Sequence, residues 1–339
     1  MKIVSRFIAS ALLLAAAITV NVFAQSTTPA VAIKGSVHPL ALRATDNGPV
    51  SSAMALHNIQ LYLAPSKAQG VALTQLLADQ RTPGNTNYHK WLTPAQFGAY
   101  FGASANDEAK VKAWLASEGF TNVSLSNSRL VVSFSGTAGQ ASQAFKANIH
   151  TVQNNGVKHF ANLATITVPS NLSTIIQSVR GLDDFTPTSH AHRMTAKSTP
   201  QYTFGTGSYG LAPGDIATIY DIQGLYNAGI DGTGVTVAVV GQSDIDLADI
   251  AAYRNGFNLP NNPPTVVLVA GSPDPGTTVS GQNEADLDLE VLGAVARNAK
   301  LIYVNSTNVD TSLQYAIDQN LAQIISMSYG SCEPYNNAS

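Results

Sequence analysis

Charge is what this 339-residue chain has little of. Asp, Glu, Lys and Arg together make up 12% of it, about half the ~25% of an ordinary soluble domain. Neither sign prevails: 18 Lys and Arg stand against 21 Asp and Glu, a net charge of −3, which excludes a strongly basic nucleic-acid binder. Ser, Thr, Asn and Gln cover the surface instead, and a surface with few titrating groups suits an acidic medium. Cysteine occurs once, as Cys332, so no disulfide forms within the chain. An odd thiol in an exported chain reads as a free thiol or one whose partner is missing. After the first two dozen residues no stretch approaches the ~18 uninterrupted apolar residues of a membrane span. Nucleotide signatures find no support: the apolar run 234–241 is followed by Gln-Ser-Asp-Ile, so that Gly241-Gln-Ser-Asp-Ile is not a Gly-x-Gly-x-x-Gly, and no Gly-x-x-x-x-Gly-Lys-Ser/Thr occurs; a Gly-x-Ser-x-Gly hydrolase elbow is missing as well.

What is present begins with an export signal. Residues 1–24 carry basic Lys2 and Arg6, an apolar run from Ile8 to Val20, and small-residue cleavage chemistry ending at Ala24. The mature chain is expected to be secreted, to the exterior or the periplasm, with no membrane association once the signal is removed. Its length suits two domains. Residues 25–55, rich in Ala, Ser, Thr and Pro toward their start, read as a flexible lead-in. Residues 56–185 mix strand and helix patterns. His57–Leu63 alternates as a strand, and Ser66 caps a helix to about Gln80 carrying Val71, Leu73, Leu76 and Leu77. Thr93 with Pro94 starts another helix, with Trp91 anchoring the turn before it. Further helices are expected over 107–119 and 137–145, with a hairpin around Asn127 and Ser128. Residues 186–200 are polar and aperiodic, an exposed linker of the kind that proteases nick, within a connecting segment 186–211. His190 and His192 belong to it as solvated histidines, since no third metal ligand is near. From 212 onward strands alternate with helices: 234–241, 265–269, 300–304 and 324–327 as strands, with helices over 246–256, 284–298 and 310–320 between them. That alternation predicts a parallel, doubly wound sheet.

The chemistry concentrates in residues 282–296, where Glu284, Asp286, Asp288 and Glu290 fall within seven residues of a helical pattern. At about 100° per residue, Glu284 and Asp288 share a face with Val291 and Val295, flanked by Leu287 and Leu292. Asp286 and Glu290 fall opposite, toward water. Residues four apart on a helix lie roughly 5–6 Å apart at Cβ, so Glu284 and Asp288 are able to share a proton or a partner. A purely structural account also exists: acids in a first helical turn complement the helix dipole.

Resemblance adds to this pattern. The Glu284-x-x-Leu287-Asp288 run resembles the catalytic helix of the sedolisins, the serine-carboxyl peptidases of the kumamolisin group. Tyr88, His89, Lys90, Trp91, Leu92, Thr93, Pro94, Phe97 and Gly98 resemble the activation domain of pro-kumamolisin closely. The resemblance implies an α+β ferredoxin-like pro-domain at 56–185, acting as an intramolecular inhibitor. It implies next, at 212–339, the N-terminal part of an α/β subtilisin-like parallel-sheet domain. In subtilisin-like enzymes a catalytic Asp ends the first strand and a His opens the next catalytic helix. Here Gly241 ends the strand and the helix is expected to open at Glu284, the replacement that sedolisins make in using a Ser–Glu–Asp triad. Glu284 would then be the general base and Asp288 would hold it by a shared hydrogen bond. A carboxylate base with a pKa near 4 works where a histidine is protonated and idle. Residues 325–333 resemble the strand that pairs with extended substrate, which places Ser328, Tyr329 and Gly330 in substrate binding.

The implied partners are protein or peptide substrates and the chain's own pro-domain; the implied cofactor is Ca2+, at a C-terminal site that this chain does not match. No metal ligands are assigned within it. Nor is there a match for the oxyanion Asp or the nucleophilic Gly-Thr-Ser segment before Ser339, so the expectation is an N-terminal fragment of a preproprotein, inactive by itself. The competing classes are a secreted inhibitor or binding module built on the pro-domain, and a nonenzymatic adhesin. An inhibitor does not require Glu284 and Asp288 on the buried face of a helix.

Overall fold

The computed structural model describes residues 29–189, 202–204 and 208–330. The expected signal peptide, His190, His192 and Cys332 lie outside the described residues.

Two short strands, β1 (Ala30–Ala32) and β2 (Thr45–Pro49), precede the long β3 (Ala55–Leu63). Helices α1 (Lys67–Asp79), α2 (Pro94–Phe101) and α3 (Ala105–Ser117) follow. The hairpin of β4 (Thr121–Leu125) and β5 (Val131–Thr137) leads into α4 (Ala138–Phe145). Then come β6 (Ile149–Asn154), β7 (Val157–Asn162), β8 (Thr167–Pro169), β9 (Ile176–Arg180) and β10 (Thr188–Ser189). Local chemistry explains the helix starts. Ser66 with Gln69, Thr93 with Gln96, and Thr137 with Gln140 each form a reciprocal capping box, which satisfies two otherwise orphaned N–H groups. Gly119, just past α3, sits at φ +80°, where a side chain would be strained.

The main sheet of this half runs β4-β5-β3-β9, every pair antiparallel. Its core is apolar and aromatic, with Ile59, Leu61, Leu115, Phe134 and Phe145 buried. A second sheet, β2-β6-β7, packs beside it. Three expectations are corrected here. The lead-in is not flexible where it is described: β1 pairs with β8, β2 with β6, and Ile33 joins the main core. Apolar residues in this stretch bury against the sheet, so its ordering entropy is offset. Trp91 anchors no turn, being 67% exposed with its ring stacked on His89. Nor does α1 bury any residue fully, and Val71 and Leu77 face outward.

After the hairpin of β11 (Tyr202–Phe204) and β12 (Ser208–Gly210) come α5 (Pro213–Ile219) and α6 (Gln223–Asn227). The second half then alternates β13 (Thr236–Gly241), α7 (Leu247–Gly256), β14 (Thr265–Leu268), α8 (Val279–Val295) and β15 (Lys300–Asn305). It continues through α9 (Val309–Asp318), β16 (Ile324–Ser326) and β17 (Tyr329–Gly330). The parallel sheet has the order β14-β15-β13-β16. Strand β13 is apolar on both faces, as a strand covered on both sides must be. Val237 and Val239 meet Ile250 of α7 and Leu289 of α8, while Ala238 and Val240 meet Val309 and Ala316 of α9. The period-2 alternation of one strand thus distributes three helices over two faces.

The two halves touch along α9. Asn58 Nδ2 donates to Thr311 Oγ1 at 2.9 Å, Arg180 Nη1 to Asp310 Oδ2 at 2.7 Å, and Asn127 Nδ2 to the Asp318 carbonyl at 2.5 Å.

Candidate active site

Helix α8 positions the carboxylates. It starts at Val279 with Thr278 as N-cap, and no acid lies in its first turn. The dipole account of Glu284 therefore fails, because the helix begins five residues earlier than the pattern indicates. Its buried stripe is Gly281, Glu284, Ala285, Leu289, Gly293 and Ala294. Small residues let the helix press close to the sheet: a Cβ added at Gly281 would lie 2.7 Å from Ser243 Cβ. The face expected to be buried is rotated as a consequence. Leu287 and Val291 are 44% and 36% exposed. Asp286 and Glu290, expected in water, are half-buried beside α7 instead.

Glu284 is 3% exposed and accepts a hydrogen bond at Oε2 from Ser189 Oγ. One turn on, Asp288 accepts at Oδ1 from Ser328 Oγ at 2.7 Å, and its Oδ2 is buried without a hydrogen-bond partner. Asp288 was expected to hold Glu284 by a shared hydrogen bond; the hydroxyl that meets Asp288 is that of Ser328. Burial raises the Asp288 pKa above its ordinary value, the Ser328 hydroxyl opposes that, and the Glu284 charge adds to it. Tyr329 is buried next to the pair, its hydroxyl 3.4 Å from the Gly281 carbonyl, and burial together with the Glu284 charge pushes its pKa up to about 12. The phenol is therefore neutral.

These groups meet at the carboxyl end of the parallel sheet, where α/β domains place their ligands. A peptide already lies there. Strand β10 pairs antiparallel with β17, Thr188 opposite Gly330 and Ser189 opposite Tyr329. The segment expected to be an aperiodic, exposed linker is in this part a strand, because β17 offers it an unpaired backbone edge. Gln242, the residue after β13, donates from Nε2 to the Pro187 carbonyl at 2.8 Å. Sequence reasoning missed both Ser189 and Gln242. The one signal for Gln242 was its place at the carboxyl end of the central strand. Among the described residues no group of three or more His, Cys, Asp or Glu side chains is arranged to hold a metal ion, so no calcium site is assigned in them.

An α/β domain with two acids one helical turn apart, one of them buried, and the segment that follows an α+β domain laid against them is the class these features define. Comparison with known proteins narrows it. Residues 43–185 match the family model "Pro-kumamolisin, activation domain". The chain is 29% identical to xanthomonalisin of Xanthomonas sp. (strain T-22), over 85% of the chain and 37% of that protein. It is 27% identical to sedolisin of Pseudomonas sp. (strain 101), over 90% of the chain and 53% of that protein. With kumamolisin of Bacillus sp. (strain MN-32) the figures are 25%, 70% and 44%. Residues 43–185 thus carry the pro-kumamolisin activation domain, and most of the chain is similar to these peptidases, of whose length it spans between 37% and 53%.

Proposed function

We propose that this chain comprises the inhibitory pro-domain and the first part of the peptidase domain of a secreted, acid-active serine-carboxyl endopeptidase. The observation that carries the reading is the hydroxyl of Ser189 on the buried carboxylate of Glu284, in a segment that lies antiparallel on Tyr329 and Gly330. Ser189 Oγ stands where the hydroxyl of a nucleophilic serine would donate. Glu284 would accept that proton as the serine attacks a peptide carbonyl. Asp288, its pKa raised, would keep negative charge off the far side of Glu284 at acid pH and release it as the pH climbs.

The domain reading follows the same lines: signal peptide 1–24, activation domain 56–185, connecting segment 186–211, peptidase part from 212. The β-α-β-β-α-β order of β3, the α1–α3 run, β4, β5, α4 and β9 supports a ferredoxin-like pro-domain. The four parallel strands with helices on both faces support a subtilisin-like peptidase part. Substrates would be proteins or peptides, which β17 would bind by strand addition as it binds β10. In the precursor, β10 fills that edge, and the contacts on α9 hold it there. No described helix is long and apolar enough to cross a membrane, which is compatible with export. Calcium enters only through the family, and no step is routed through it.

Acid treatment of the precursor tests the maturation half of this reading. Mass spectrometry is expected to place the new N-terminus within 186–200. A mature product that begins before Gly181 would contradict it, since β9 and its core contacts would have to be cut.

A further inference from the structure

Gln242 has no role in the proton chemistry above, yet it holds a definite place in the cleft. Its carboxamide makes two bonds of opposite sense. Nε2 donates to the Pro187 carbonyl at 2.8 Å, and Oε1 accepts the Val309 N–H at 3.3 Å. A carbonyl only accepts and a main-chain N–H only donates, so these partners fix which way the amide faces. Val309 is the first residue of α9, whose N-terminal N–H groups have no partner inside the helix. Helix α9 therefore anchors the oxygen of the amide, and the nitrogen is left facing the peptide in the cleft.

That peptide is in a set register. Ser189 reaches Glu284, Ser189 and Thr188 pair with Tyr329 and Gly330, and the carbonyl read by Gln242 belongs to the residue two positions before Ser189. Pro187 has no N–H to offer, so its carbonyl is the one main-chain polar group at that position. Every polypeptide laid on β17 in this register presents a carbonyl there, whatever its side chains. A neutral amide suits the task, because its N–H donates without charge whatever the pH.

We propose that Gln242 is a substrate-binding residue. Its Nε2 donates to the main-chain carbonyl two residues N-terminal to the one that contacts Glu284, forming a second clamp on the backbone of an extended polypeptide substrate, beyond the β17 edge. The assignment rests on the peptidase reading of this cleft. It predicts that substrates shorter than two residues on that side of Glu284 lose the clamp.

The test is steady-state hydrolysis of an unstructured peptide by the complete matured protein, comparing wild type, Gln242→Ala and Gln242→Glu, with a melting curve for each. Gln242→Ala is expected to raise KM about threefold to tenfold, the size of one neutral hydrogen bond, with kcat within about twofold, since binding is lost equally in ground and transition states. Gln242→Glu keeps the oxygen that Val309 uses. Its KM relative to wild type is expected to be near one while the new carboxyl is protonated and to climb as pH rises through the ordinary Glu pKa of about 4.3, when a carboxylate faces the carbonyl. A purely structural role would not give that pH-dependent ratio. Unchanged KM in both folded variants overturns the assignment of Gln242 in an active enzyme. A wild-type protein without hydrolysis overturns the peptidase reading and the substrate assignment with it.

Discussion

Ser328 Oγ donates to Asp288 Oδ1 at 2.7 Å, which ties the link between β16 and β17 to α8. The hydroxyl favours the ionised carboxylate and so opposes the upward shift that burial and the Glu284 charge impose. Ser328→Ala should therefore raise the pKa of Asp288 further, and Ser328→Thr should restore it. Carbon-13 NMR titration of the labelled Asp288 carboxyl reads this directly. A pKa unchanged or lowered in Ser328→Ala would show that the hydroxyl does not support the charge.

Asp286 and Glu290 set a second expectation, about pH and stability. Burial, then the charge of Asp249, pushes Asp286 up to about 6; burial, then the charges of Asp286 and Asp249, pushes Glu290 up to about 7. Asp246 adds to the field at Asp286, and Tyr253 faces Glu290 from α7. Both folded-state values lie above the ordinary carboxylate range, so the folded domain holds protons that the unfolded chain has released. The contribution is full below about pH 4 and is lost as pH rises through about 6 and about 7. Urea unfolding followed between pH 4 and pH 7.5 should show stability falling with pH. Asp286→Asn with Glu290→Gln should flatten the slope. A wild-type slope of the opposite sign would contradict the assignment.

Gly241 gives a packing test. A Cβ added there would lie 2.8 Å from Tyr303 Cζ and nearer still to its hydroxyl, which donates to the Ser243 carbonyl at 2.7 Å. The strand end that carries a catalytic acid in subtilisin-like enzymes has no room for one here. Gly241→Ala should cost roughly 1–3 kcal/mol by overpacking. Tyr303→Phe should recover part of that in the double variant, measured as a coupling energy by chemical denaturation. Additive losses would show that the hydroxyl is not what the methyl meets.

Much of this architecture was legible in the sequence, and the reasons lie in particular residues. Ser66, Thr93 and Thr137 announce helix starts by chemistry that is local to four residues. The unbroken apolar run of β13 announces a strand covered on both faces. Glu284 and Asp288 stood out because acids at helical spacing are costly to bury. What stayed hidden depended on distant partners. The start of α8 at Val279 is set by Thr278 and by Gly281 packing on Ser243. The half-burial of Asp286 and Glu290 depends on where α7 lies. Ser189 and Pro187 meet Glu284 and Gln242 across long stretches of chain, and no local pattern marks either contact. Trp91 belongs to the most family-like run in the sequence, yet it stands in solvent; resemblance identified the segment without giving its physical role.

The claim that a buried carboxylate, Glu284, does the work of a base is tested most directly by the pH–rate profile of the matured protein on unfolded protein substrate. Wild type should be most active in acid and should lose activity toward neutral pH, and Glu284→Gln should lower kcat by about 10²–10⁴-fold, the range for one general base. An optimum near pH 8, with Glu284→Gln as active as wild type, would contradict the account.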